Sequence, residues 1–229
     1  MSSERAAQSD HIQLPTTTPA AAPLRAGPSA TALTLAFATI YVVWGSTYLG
    51  IRIAVETMPP FFMAAVRFTL AGVLLLGFLK LRGAAWPTLR QWRINAFIGT
   101  LLLLGGNGLV VWAEQWVPSG ITALLLGGTP LFIVLTEWAW PGGTRPTAFT
   151  LGAMLVGLGG VVWLAAPWQA SGAHGQLHPS GLVALLSACI FWSIGSIYSR
   201  HAKHGADSMV AAALQMIGGG LSIAIVALF

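Results

Sequence analysis

Charge is what this chain has least of. Six acidic and eleven basic side chains amount to 7% of 229 residues, against roughly 25% in a soluble globular domain. An ordinary water-soluble protein is excluded. The formal charge of +5 comes from side chains too few and too scattered to form the basic footprint of a nucleic-acid binder, so no nucleic-acid partner is expected. Lysine occurs only as Lys80 and Lys203, both outside the apolar runs, which denies a seven-helix photoreceptor its Schiff-base amine. The single cysteine, Cys189, forms no intramolecular disulfide. No Gly-Lys-Ser/Thr phosphate loop occurs, so there is no ATPase motor. All five histidines fall in loops or the tail, leaving an intramembrane hydrolase without a buried base. His174 and His178 stand four apart, a metal-ligand spacing, yet among Gly172, Gly175 and Pro179 they read as a solvated loop. The expectation is therefore no enzyme, no catalytic residue, no metal and no cofactor.

Apolar residues, by contrast, make up 55% of the chain. They gather into seven runs near Thr31 to Ile51, Pro60 to Lys80, Arg93 to Ala113, Ser119 to Trp138, Ala148 to Ala166, Gly181 to Ser199 and Asp207 to Phe229. Each approaches the length of about 20 residues that spans roughly 30 Å of hydrocarbon as a helix. They are apolar on all faces and too long for barrel strands. The fold class is an all-α polytopic membrane protein with the lipid bilayer as its first partner.

Residues 1-30, with Pro15, Pro19, Pro23 and Pro28 among Ala, Ser and Thr, read as a disordered tail. Orientation follows from Lys and Arg in the loops. A cytoplasmic tail puts Arg5, Arg25, Lys80, Arg82, Arg90, Arg93, Arg145, Arg200 and Lys203 on its own side and only Arg52 on the other, with Arg67 inside a span. The amino terminus is thus expected in the cytoplasm and residues 167-180 in an outer loop. The last residues, Ala227, Leu228 and Phe229, lie within an apolar run, and a truncated sequence is expected.

An internal repeat is also legible. Gly45-Ser46-Thr47-Tyr48 recurs as Gly195-Ser196-Ile197-Tyr198, and an offset of 148 sets Pro59 against Asp207, Ala64-Ala65 against Ala212-Ala213, Arg67 against Gln215 and Gly72 against Gly220. A unit of five spans makes the second copy inverted, as transporters often are. The stretch Trp44-Gly45-Ser46-Thr47-Tyr48, with Ile51-Arg52-Ile53-Ala54, Pro59-Pro60 and Ala64-Ala65-Val66-Arg67-Phe68, resembles the start of an EamA repeat of the drug/metabolite transporter superfamily. Gly106-Asn107-Gly108 to Ala113-Glu114, Val117-Pro118-Ser119-Gly120 and Thr129-Pro130-Leu131-Phe132 look like its YedA-like branch. The resemblance implies a first repeat over 31-166 and an incomplete second one over 181-229, in a family with ten spans. It further implies export or exchange of small organic or amino-acid-like solutes across a bacterial inner membrane. The alternative is a passive channel or a non-transporting subunit of a membrane complex.

Arg67 lies seven residues beyond Pro60, about 10 Å into the membrane, where a charge is placed by default on a bundle interior or cavity. It either contacts an anionic substrate or ties helices together through carbonyls. Trp44 and Asn107 reach a similar depth, which suggests one cavity, and Gln215 is paired with Arg67 by the repeat. Tyr41, Trp44, Gly45, Tyr48 and Arg52 form one stripe at spacings of three and four, a solute path or plain packing. Gly106 and its neighbouring glycines weaken the third span or permit close contact, and Pro130 is expected to kink the fourth and strand the carbonyl of Leu126. Both mark possible gating points. The glycines of span five read as close packing. Counter-ion or proton coupling is open, since Glu114, Glu137, Glu56 and Asp207 all read as charges at the interface.

Overall fold

The computed structural model describes residues 29–165, 178–202 and 205–229. The chain divides into two compact units, residues 1–39 and 40–229. Of the first, the described part opens helix α1 (Ala30–Ala54), where Ser29 Oγ accepts from the Ala32 amide at 3.2 Å. Nearly all of the tail expected over 1–30 lies outside the described residues, as do His174 and most of the 167–180 loop.

The second unit carries α1 onward from Ile40. It continues with α2 (Pro60–Leu81), α3 (Leu89–Gly99), a π-helical stretch (Thr100–Gly108), α4 (Leu109–Ala113), α5 (Ser119–Leu126) and α6 (Thr129–Ala139). After these come α7 (Ala148–Ala165), α8 (Pro179–His201) and α9 (Ser208–Val226). Among the described residues six stretches are long and apolar enough to cross a membrane: Ala30–Ala54, Pro60–Leu81, Leu89–Ala113, Ser119–Ala139, Pro179–His201 and Ser208–Val226. The remaining predicted run forms α7, an apolar helix that reaches the edge of the described residues. The molecule is an all-α polytopic membrane protein.

Local chemistry sets the helix ends. Pro60 occupies the first turn of α2, where its missing amide costs nothing, and Gly83 just beyond its end takes φ +87°, which a side chain disfavours. Thr88 and Gln91 cap α3 reciprocally, the Thr88 hydroxyl accepting from the Gln91 amide and the Gln91 side chain from the Thr88 amide. Asp207 caps α9 through the Met209 amide at 2.9 Å. Pro59 and Asp207, aligned by the offset of 148, are therefore both the residues before a helix start.

The same offset governs the packing of α2 on α9. A Cβ on Gly72 would lie 2.8 Å from Ile217 Cγ1, and one on Gly220 would lie 2.7 Å from the Thr69 nitrogen. Thr69 and Ile217 are themselves 148 apart, so the two close approaches are reciprocal. One cluster above the crossing joins Ala65 to Ile223, and another below it joins Ala213 to Leu75, again exchanged by the offset. Small residues allow such approach between membrane helices. Gly99 meets the Gln215 backbone, and Gly218 and Gly219 meet Ala96 and Gly99, so α3 lies equally close to α9. The glycines of span five behave otherwise: a Cβ on Gly152, Gly157, Gly159 or Gly160 would touch nothing, and the packing expected of them is not found among the described residues.

The loops collect at two ends. At one, Gln91 Nε2 donates to Gly205 O at 3.0 Å and Arg200 pairs with Glu137 at 3.3 Å. At the other, Arg52 donates to the Glu114 carbonyl and the Trp116 ring lies 5.7 Å from that of His178.

Candidate transport site

The fourth span breaks where proline was expected to bend it. α5 ends at Leu126, Gly127 and Gly128 form a turn, and α6 starts with Thr129 and Pro130. The stranded carbonyl is satisfied from within the break, because Thr129 Oγ1 donates to Leu126 O at 2.6 Å. The same hydroxyl lies 3.5 Å from Cys189 Sγ on α8. A residue that cannot extend the ladder thus sits beside one whose side chain repairs it.

A cavity of about 380 Å³ opens at this break. Trp44 and Tyr48 of α1, Thr129 and Pro130 of the break, and Trp192 and Ser196 of α8 line it. Its walls are mainly apolar and aromatic with a few hydroxyls, the usual make-up of a site for a small organic molecule. Gly106 stands behind Trp192, whose ring a Cβ there would meet at 3.3 Å. Trp44 and Tyr48 therefore share a cavity with Pro130, and Gly106 supports its wall.

Gly106 also belongs to the π-helical stretch. Glycine at 105, 106 and 108 lowers the helix propensity over these residues, and π-helical turns occur often at functional sites. Thr100 anchors the stretch at its start, with its hydroxyl 2.7 Å from that of Ser222 on α9. Asn107 is half-buried within it.

Arg67, Asn107 and Gln215 do not line the aromatic cavity. Of the residues grouped by equal depth only Trp44 lines this cavity, because depth along a helix says nothing of the direction a side chain takes. Gln215 Nε2 donates to Asn95 Oδ1 at 3.0 Å, and Asn95 is fully buried on α3. Gln215 is thus placed between α3 and α9, not opposite Arg67. The Arg67 guanidinium lies 4.5 Å above the Phe68 ring, with its Nε buried and unpartnered.

Glu114 is the residue whose surroundings the sequence hid. It follows the last residue of α4 and is fully buried, with both carboxylate oxygens lacking a hydrogen-bond partner among the described residues. The expectation of an interfacial charge is corrected here: α1 and α2 close over the end of α4 and bring Arg52 and Arg67 within electrostatic reach. Burial drives the carboxyl up to about 8, against the pull of Arg52 and Arg67. Arg52 nevertheless donates to the backbone carbonyl of Glu114. Tyr48 feels the same carboxyl and also lines the aromatic cavity, so it stands between the two groups.

The family described as the EamA-like transporter family matches residues 31–166. The chain is 40% identical over 187 residues to the uncharacterized inner membrane transporter YedA of Escherichia coli strain K12, an alignment covering 81% of this chain and 58% of that protein. It is 26% identical over 196 residues to the uncharacterized transporter YvbV of Bacillus subtilis, covering 85% of this chain and 62% of the relative. The chain spans less than two thirds of the length of either. No solved structure matches.

Proposed function

The chain belongs to the EamA-like transporter family, and from that premise we infer that it serves secondary transport of small organic solutes across a bacterial inner membrane, by export or exchange. The observation that carries this reading is the aromatic cavity at a broken span, because interrupted helices supply substrate sites in transporters. The apolar body of the solute rests between Trp44, Tyr48 and Trp192. Arg67, incompletely paired on α2 and outside the lining of that cavity, takes a carboxylate or other anionic group, and amino-acid-like metabolites combine both features. Pro130 and Gly106 mark the points where the walls change shape. The α8–α9 pair is a second, inverted copy of α1–α2, a reading that the reciprocal contacts of Gly72 and Gly220 support. The amino terminus faces the cytoplasm.

Purified protein in liposomes loaded with a panel of amino acids and aromatic acids tests this. Counterflow is the expected result: unlabelled solute inside accelerates entry of labelled solute. Flux that is indifferent to solute on the far side would instead establish a passive channel, and no flux of any member of the panel would defeat the reading.

A further inference from the structure

A buried carboxyl without a hydrogen-bond partner is costly unless it is protonated or paired, and Glu114 is not paired. Its neighbours define what can relieve it. From α1 come Tyr48 and Arg52, which donates to the Glu114 carbonyl and exerts a stronger pull on the carboxyl than Arg67 does. From α2 comes Arg67, resting on Phe68 with its Nε unsatisfied. α8 offers only Cys189 in its middle, since Tyr198, Arg200 and His201 lie at its far end. α9 has no ionisable residue over Ser208–Val226, and α5 none over Ser119–Leu126. His178 stands outside the group, against Trp116. α2 and α4 pack together through Ala64, Ala65, Phe68 and Val111, so the buried acid and the incompletely satisfied Arg67 stand on adjoining helices, with Arg52 holding the backbone beside them.

We propose that Glu114 is a proton-binding site linked to anion binding at Arg67: the protonated carboxyl leaves Arg67 available to an anionic solute, and the deprotonated carboxylate competes for the same guanidinium. Binding of the anion therefore takes up a proton from the medium at Glu114, and loss of the proton returns Arg67 to the carboxylate and displaces the anion. No covalent bond changes; one proton moves between Glu114 and water. This deepens the transport reading by naming a coupling ion, and it rests on Arg67 as the anion site. The direction in which burial pushes Glu114 is consistent with it, because the exchange then falls near neutral pH.

Infrared spectroscopy of the purified protein reads the site without any flux. The wild type should show the carbonyl stretch of a buried carboxylic acid at neutral pH, fading as the pH rises through about 8, and Glu114→Gln should lack it. Arg67→Gln should move the midpoint upward by about one unit or more, since a cation at that range favours the carboxylate. Benzoate in excess should move the wild-type midpoint upward too, by occupying Arg67. Absence of the band at neutral pH, or an unchanged midpoint in Arg67→Gln, overturns the proposal. A midpoint that moves in Arg67→Gln but ignores benzoate, acetate and glutamate overturns the linkage through the anion role of Arg67, while counterflow in liposomes independently decides whether the protein transports.

Discussion

Arg67 and Glu114 show how far a residue's identity predicts its task. An arginine seven residues into an apolar run announces itself, because a charge there needs a reason. Glu114 did not, since the end of a span is an ordinary place for a carboxylate, and its full burial emerges only in the fold. The repeat assigned Gln215 a depth but not a direction, and its amide donates to Asn95. If Arg67 holds an anionic solute, Arg67→Lys loses the planar fork that donates two hydrogen bonds at once. Flux in liposomes should fall by tenfold or more, roughly 1.4 kcal/mol, with the melting temperature little changed. Normal flux by that variant would remove Arg67 from the site. Glu114 carries a stability signature as well. Its protonated form is favoured by folding, so its contribution is complete below the ordinary value of 4.5 and is lost as the pH rises to about 8. Melting of the wild type in detergent should decline across that window, and Glu114→Gln should flatten the decline.

At the scale of elements, proline and glycine were informative where they interrupt a span and silent where they only face outward. Thr129-Pro130 forecast a break in the fourth span, and the break is there, with a threonine repair that follows from the stranded carbonyl. Replacing Thr129 with valine removes that repair and should cost about 1–2 kcal/mol, read as a lower melting temperature and a wider α5–α6 bend. The glycines around Asn107 forecast a weakened helix, but a π-helical register cannot be read from composition, because it depends on what α8 and α9 press against the stretch. Span five meets no such contact among the described residues, since small residues permit close approach without requiring a neighbour. Substitutions should separate the two kinds of glycine. Gly99→Leu, where even a Cβ would strike the Gln215 backbone, should sharply reduce folded yield, whereas Gly45→Ala, with open space around it, should leave folding unchanged.

For the molecule as a whole, the apolar runs were legible because the thickness of the bilayer imposes them, while the loop charges carry an orientation still to be measured. Lys80, Arg82, Arg90, Arg93, Arg145 and Arg200 fall toward one end, and Arg52 toward the other. A cysteine introduced at Thr57 should accordingly react with an impermeant maleimide on intact cells, and one at Thr88 only after the membrane is opened; labelling of Thr88→Cys from outside would reverse the orientation. The crossing of α2 and α9 carries a mechanical corollary. Two hydrophobic clusters lie on either side of a contact in which Gly72 and Gly220 keep the backbones close, with Ile217 and Thr69 seated against the two glycines. Such a contact is a fulcrum with equal arms. Any tilt of α9 against α2 that prises apart Ala65 and Ile223 therefore presses Ala213 toward Leu75.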